Sequence, residues 1–162
     1  MANHEQDGRR DFDFLHGRWM NKNRRLRKRL QGCREWDEFE AADECRPVLG
    51  EVGNVGTFSA TFPNGEPINA MSLRIFNPES KLWSIWWADD RVCDLFPPVH
   101  GRFVDGAGKF EGTDVCDGSP VDVIFNWSDI TATSATWSQE FSADGGKTWE
   151  MNWEMAFTRI ND

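Results

Sequence analysis

Turn signals recur along this chain at intervals that leave room for one short strand and little else. They fall at Gln31-Gly32, Pro47–Gly53, Asn64-Gly65, Asn77-Pro78, Asp105–Gly108, Asp117-Gly118 and Asp144–Gly146. Between them lie short runs rich in Trp, Phe, Val, Ile and Thr, the spacing of an all-β sandwich or barrel. Asn64-Gly65 is the strongest hairpin signal, because a type I′ turn needs positive φ at both central residues. Within the runs, apolar and polar residues alternate. Trp149, Met151, Trp153, Met155 and Phe157 interleave with Glu150, Asn152 and Glu154. Trp137, Gln139 and Phe141 stand against Thr136, Ser138 and Glu140, and Val121, Val123, Phe125 and Trp127 against Asp122, Asn126 and Ser128. A period of two turns one face to the core and the other to water.

The pattern predicts ten strands, over 18–30, 35–46, 55–62, 68–76, 82–89, 98–105, 108–117, 121–128, 134–142 and 148–159. Short connections make neighbours in sequence neighbours in space. A ten-strand meander hides its two edges by closing on itself. The expected fold is therefore all-β: a roughly ten-stranded antiparallel up-and-down barrel, one domain over 1–162. Residues 1–16 form its N-terminal cap, with a short helix over 4–16.

What fills such a barrel turns on its aromatics. The chain has 9 Trp, 12 Phe and no Tyr, so tyrosine chemistry is excluded. Barrel diameter grows with strand number, and about eight strands are just filled by their own side chains. Ten strands lined with indoles leave a pocket for one small molecule. The alternative is an interior packed solid by the same rings, since each buries so much area.

Net charge is −9, unevenly placed. Residues 1–34 carry ten Lys/Arg against four Asp/Glu, and the rest eight against 23. Such an acidic surface repels nucleic acid. No apolar run approaches the ~18 residues of a membrane span. Cys33, Cys45, Cys93 and Cys116 lack metal-ligand spacing, so no metal is expected. With no apolar leader at the start, the reading is a cytoplasmic protein with reduced thiols.

The basic stretch Lys22–Arg29 has a partner of its own. A tight turn at Gln31–Arg34 sets Arg25 opposite Glu40, Arg27 opposite Glu38, Lys28 opposite Asp37 and Lys22 opposite Asp43. The result is a ladder of opposed charges. Neither face of this hairpin is apolar, so some polar groups turn inward or the hairpin outruns the barrel. The face of Trp19 is taken as the inner one, with Arg25–Glu40 as its buried pair.

Gly17-Arg18-Trp19 at the first strand, with Arg159 near the end of the last, resembles the signature of lipocalins and their calycin relatives. That resemblance implies that Trp19 closes the barrel floor and Arg159 lies across it, a cation over an indole face. The whole chain is similar to bacterial lipocalin-like proteins grouped as domains of unknown function. Ser142-Ala143-Asp144-Gly145-Gly146-Lys147-Thr148-Trp149 resembles the Asp-box of sialidases. With one copy and no tyrosine nucleophile it reads as a structural turn, in which Asp144 binds turn amides, Gly146 allows positive φ and Trp149 anchors the hairpin. Haem-binding barrels of the nitrobindin type carry a His near the C-terminus. The last His here is His100, so no haem or other cofactor is expected.

The binding candidates are polar residues on inward faces and the indoles around them. Asp114 is in phase with Phe110 and Gly112, and Gln139 lies between Trp137 and Phe141. Buried, each needs a ligand, a water or another side chain. Arg25 and Glu40 stand at one end, with Trp87, Trp127, Trp137 and Trp153 as walls. The connection 89–98, with Asp90, Arg91 and Pro97-Pro98, borders the mouth. The expected function is binding of a small, partly apolar ligand, aromatic or acidic, without nucleic acid or membrane. One alternative is an enzyme using Asp114 or His100 as general acid or base. The other is a filled barrel that dimerises through outward Leu26, Trp36 or Phe39.

Overall fold

The computed structural model describes residues 7–161. Ten strands run in chain order: β1 (Gly17–Leu26), β2 (Trp36–Val48), β3 (Gly53–Thr61), β4 (Pro67–Asn77), β5 (Leu82–Asp89), β6 (Val99–Val104), β7 (Ala107–Cys116), β8 (Ser119–Ser128), β9 (Ser134–Ser142) and β10 (Glu150–Arg159). Each pairs antiparallel with the next, and β1 pairs with β10, so the barrel is closed and has no free edge. The closing register sets Trp19 opposite Arg159 and Arg25 opposite Trp153.

The cap is not a helix. Its backbone bonds run from Asp11 to Gly8, from Asp13 to Arg10 and from Leu15 to Phe12, all three residues apart. Among the described residues of the cap only Asp13–Leu15 forms a helical turn, of the 3-10 kind, and Gly8 stands at a non-helical φ of +104°. Residues 4–6 of the expected helix lie outside the described residues. The tight turn has a reason. Residues three apart eclipse in 3-10 geometry, which puts Phe12 and Leu15 on one side, and both are buried in the barrel floor. Phe12 meets Trp83 and Phe103 edge-on at 4.9 Å each and stacks on Phe110 at 5.6 Å. Trp83 Nε1 donates to Gly8 O and Trp19 Nε1 to Leu15 O, so the indoles anchor the plug by both ring and N–H.

Arg159 closes the floor from outside. Its guanidinium lies 4.1 Å from the Trp19 ring. It donates to Phe14 O, His16 O and Ala132 O at 2.5, 2.6 and 2.9 Å. Gly17 sits beneath it at φ +116°, where a Cβ would come within 2.7 Å of Arg159 Nη1.

The first hairpin departs from its expected register. Residues 27–35 form an open connection rather than a tight turn, with Leu30 at φ +60° and Gly32 at +67°. Arg25 therefore pairs with Asp37 and Lys22 with Glu40. The shift is three residues, an odd number, so β2 shows its other face to the core. Trp19, Asn21, Asn23 and Arg25 do point inward, but beside them stand Phe39, Ala41, Asp43 and Cys45. Burying that apolar trio decides the register. Glu40 is exposed and there is no Arg25–Glu40 pair. Opposed charges persist on the outside, as in Arg24–Glu38 at 3.8 Å. Of the residues expected to form a dimer face, Leu26 is buried, Phe39 packs edge-on against Phe62 and Trp36 lies under Arg24.

A bulge between Met151 and Trp153 breaks the alternation of β10. Asn152, expected in water, is wholly buried, while Trp149 turns toward solvent. The β9–β10 turn is held by Asp144. Its Oδ1 accepts from Lys147 N, Thr148 N and Ser142 Oγ, and Trp149 Nε1 donates to Gly146 O.

Gly17→Ala is expected to destabilise the protein by about 1–3 kcal/mol, the cost of a strained φ, plus the clash with Arg159. Urea unfolding measures it. In an Arg159→Met background the clash part should vanish, so the two losses are expected to be less than additive.

Candidate functional site

The end of the barrel away from the plug is hollow. A cavity of about 200 Å³ opens there. Its aromatic wall comes from alternate residues of neighbouring strands: Trp87 of β5, Phe125 of β8, Trp137 and Phe141 of β9, and Trp153 of β10. Trp137 meets Trp153 edge-on at 5.9 Å and Phe125 at 5.1 Å, while Trp87 meets Trp153 at 6.0 Å. These rings brace one another, and each pair adds roughly 0.5–1.5 kcal/mol beyond burial. They keep the wall standing without filling the space.

Three arginines gather at the rim: Arg25 from β1, Arg29 from the 27–35 connection and Arg91 from the 90–98 connection. Arg91 is neutralised. Asp89, almost fully buried, accepts from its Nε and Nη2 at 3.2 and 2.9 Å, and from Trp87 Nε1 at 2.9 Å. Asp89 thus positions one cation and one indole together. Arg29 Nη1 donates to Leu26 O. Arg25 has no such partner. Its guanidinium lies 5.1 Å from the Trp153 ring and 5.7 Å from Phe62, and its buried Nε makes no hydrogen bond. Burial first, then Arg29 and Arg91, push its pKa down to about 10, which leaves it cationic at neutral pH.

Gln139 and Asp114 add polar lining, and buried asparagines support the wall behind it. Gln139 Nε2 donates to Asn152 Oδ1 at 2.8 Å. Asn23 accepts from Trp153 Nε1 and donates to Asn21. Asp114 accepts from Val115 N, and burial raises its pKa.

Of the residues singled out in the sequence, Arg25, Trp87, Asp114, Trp137, Gln139 and Trp153 line this one cavity, and Arg91 and Pro97 border it. Trp127 lies deeper, edge-on to Phe12, beside a smaller void of about 30 Å³. Glu40 is outside. His100 bonds Ser84 Oγ on an exposed face and takes no part. Sequence reading missed Asp43, Arg74 and Asp89. All three had a signal: each is in phase with buried neighbours, as Arg74 is with Ile68 and Phe76.

Asp43, at the smaller void, is a second electrostatic anomaly in addition to Arg25. Burial pushes its pKa up to about 6, and attraction by Arg74 only partly offsets this.

Neither a scan against protein families nor a search of curated proteins finds a match for this chain. Solved structures do match in fold. The S-type phycobiliprotein lyase CPES from Guillardia theta superposes with a TM-score of 0.65 and 9% identity, over 100% of this chain and 99% of that one. The barrel EF1p2_mFAP2b bound to DFHBI gives 0.52 and 10% identity, over 94% and 99%. The likeness is one of fold, the closed antiparallel β-barrel. Among the described residues, no helix is long and apolar enough to cross a membrane.

Asp43 fixes a pH dependence. The folded protein holds its proton more tightly than the unfolded chain, whose Asp titrates near 3.9. Stability from this group is therefore greatest below about pH 4 and falls as pH rises to about 6, by about 3 kcal/mol. Asp43→Asn should match the parent near pH 4 and exceed it at pH 7.5, read as urea midpoints at the two pH values.

Proposed function

We propose that the protein is a single-domain, lipocalin-like binding barrel whose ligand is a small aromatic molecule with an acidic group. One observation carries this reading. Arg25 is a mostly buried cation with an unpartnered Nε, facing a cavity walled by indoles. A buried charge without a partner is costly, and an anion entering the cavity would supply one. Charge-assisted hydrogen bonds to a carboxylate orient the head group. Trp87, Trp137 and Trp153 supply flat apolar surface for the rings. Asp89 holds Trp87 and Arg91 in place, so the wall is formed before the ligand arrives.

Size narrows the class. At about 200 Å³ the cavity lies below the ~300–1,000 Å³ of drug-sized sites. One or two fused rings match it. That a barrel of similar fold is bound to DFHBI supports the reading that such an interior can take a small molecule. Cys116 and Asp117 line the cavity beside Asp114, but burial and the charge of Asp117 raise the pKa of the Cys116 thiol, away from the reactive thiolate, and His100 lies on the outer face. Binding is therefore favoured over catalysis.

Calorimetric titration at pH 7.5 with 2-naphthoate and its uncharged analogue 2-naphthylmethanol tests this. The acid is expected to bind about tenfold tighter or more, the worth of one charged hydrogen bond. Arg25→Met should remove that preference while leaving the alcohol's affinity within about threefold, since the Met stem keeps the packing on Trp153. Equal affinities for acid and alcohol, or no heat from either at millimolar concentration, would overturn the proposal.

A further inference from the structure

Behind the mouth cavity lies the second void, of about 30 Å³. The two share the wall formed by Ile85, Trp87, Phe125, Trp137 and Met155. The small void is thus the inner continuation of the large one past an aromatic waist. Its polar lining is Asp43, Ser72 and Arg74.

Hydrogen-bonding capacity is left over there. Arg74 is 7% exposed. Its Nη1 donates to Asn54 Oδ1 at 2.8 Å and its guanidinium packs on Phe12 at 5.4 Å, yet its buried Nε has no partner. Asp43 is pointed into the same space. Among the described residues no hydrogen bond reaches its carboxylate and no ion pair joins it to Arg74; only the charge of Arg74 reaches it. Gly56 shows how close the two come. A Cβ there would lie 3.2 Å from Arg74 Nη1 and 3.8 Å from Asp43 Oδ1. A bare backbone position therefore helps keep the void open between an acceptor-only carboxylate and a donor-only guanidinium.

We infer that this void is the inner end of the ligand site and receives a hydroxyl group at the end of the ring system opposite the acid, donating to Asp43 and accepting from Arg74 Nε. The inference rests on the binding reading above and names its ligand class: elongated hydroxylated aromatic acids. A hydroxyl is the smallest group that both donates and accepts. A carbonyl or an ether can serve only Arg74. Length points the same way. On β2, Asp37 opposite Arg25 and Asp43 at the void are six residues apart, about 20 Å along the strand. Side chains and two hydrogen bonds of about 2.8 Å take up part of that. The remainder suits two fused rings better than one.

The test compares 2-naphthoate, 6-hydroxy-2-naphthoate and 6-methoxy-2-naphthoate by calorimetry at pH 7.5. The hydroxyl is expected to tighten binding about tenfold, since its partners are charged. The methoxy compound, bulkier and unable to donate, should bind more weakly than the parent. Asp43→Asn, which keeps the shape, should cut the hydroxyl gain to about threefold or less. Ser72→Val, which fills the void from β4, should abolish it while 2-naphthoate still binds. If 2-naphthoate binds through Arg25 and the hydroxyl brings no gain, this inference fails and the binding reading stands. A gain that survives both substitutions also overturns it, because the hydroxyl then sits elsewhere. If none of the three acids binds, both readings fall.

Discussion

The guanidinium of Arg159 holds the barrel's closed end together. It reaches three carbonyls, two of them in the segment that enters the floor and one in the β8–β9 turn, while covering the Trp19 ring. The Phe14 and His16 carbonyls are partly buried, and leaving either without a donor would cost about 1–3 kcal/mol, whereas the exposed Ala132 carbonyl could turn to water. Trp19 and Arg159 are directly paired residues of β1 and β10. The clasp therefore lies on the seam where the first strand meets the last. Closure, floor and plug are one structure, and Gly17 is part of it because only a residue without Cβ leaves room for the cation.

From that floor upward the interior changes character. Near the plug, Phe12, Trp83, Phe103 and Phe110 pack against one another, largely edge to face, and fill the barrel interior between them. Toward the mouth the same residue types line a cavity. The difference lies in what accompanies the rings. The floor receives Phe12 and Leu15 from outside the sheet, whereas at the mouth the connections bring Arg29, Arg91, Phe96 and Pro97 to the cavity without filling it. The solid barrel and the hollow barrel are thus both correct, each for one half.

Strand order, most strand bounds (β1, which ends at Leu26 rather than residue 30, excepted) and most inward aromatic faces were legible in the sequence because each depends on a local signal: turn residues and a period of two. Six of the eight binding candidates line the mouth cavity for the same reason. What failed depended on counting through irregular backbone. The connection after β1 holds nine residues, 27–35, where a tight turn was expected, and an odd shift of register moved Glu40 from core to solvent. One bulge in β10 did the same to Asn152 and Trp149. Helical expectation for the cap failed because the pattern there is two large apolar residues three apart, which serves a 3-10 turn as well as a helix. Arg74 and Asp43 were missed for another reason. Charged residues in phase with a core face read as solvated, although their phase already placed them inside.

Those two residues bear most directly on what the barrel is for. A core shaped for stability alone would bring the opposite charges into contact or replace both with apolar side chains, which is often neutral or stabilising. Here they stand apart around a void that can hold a single polar group. At the rim, Arg25 repeats the arrangement with an Nε that no group among the described residues satisfies. Between the two levels the wall is aromatic. The interior therefore presents unused hydrogen-bonding capacity at both ends and flat apolar surface in the middle. Proteins commonly give up stability at functional sites, and the raised pKa of Asp43 is the form that loss takes in this chain. A rigid molecule polar at its two ends and apolar between them is the shape that removes the cost at both.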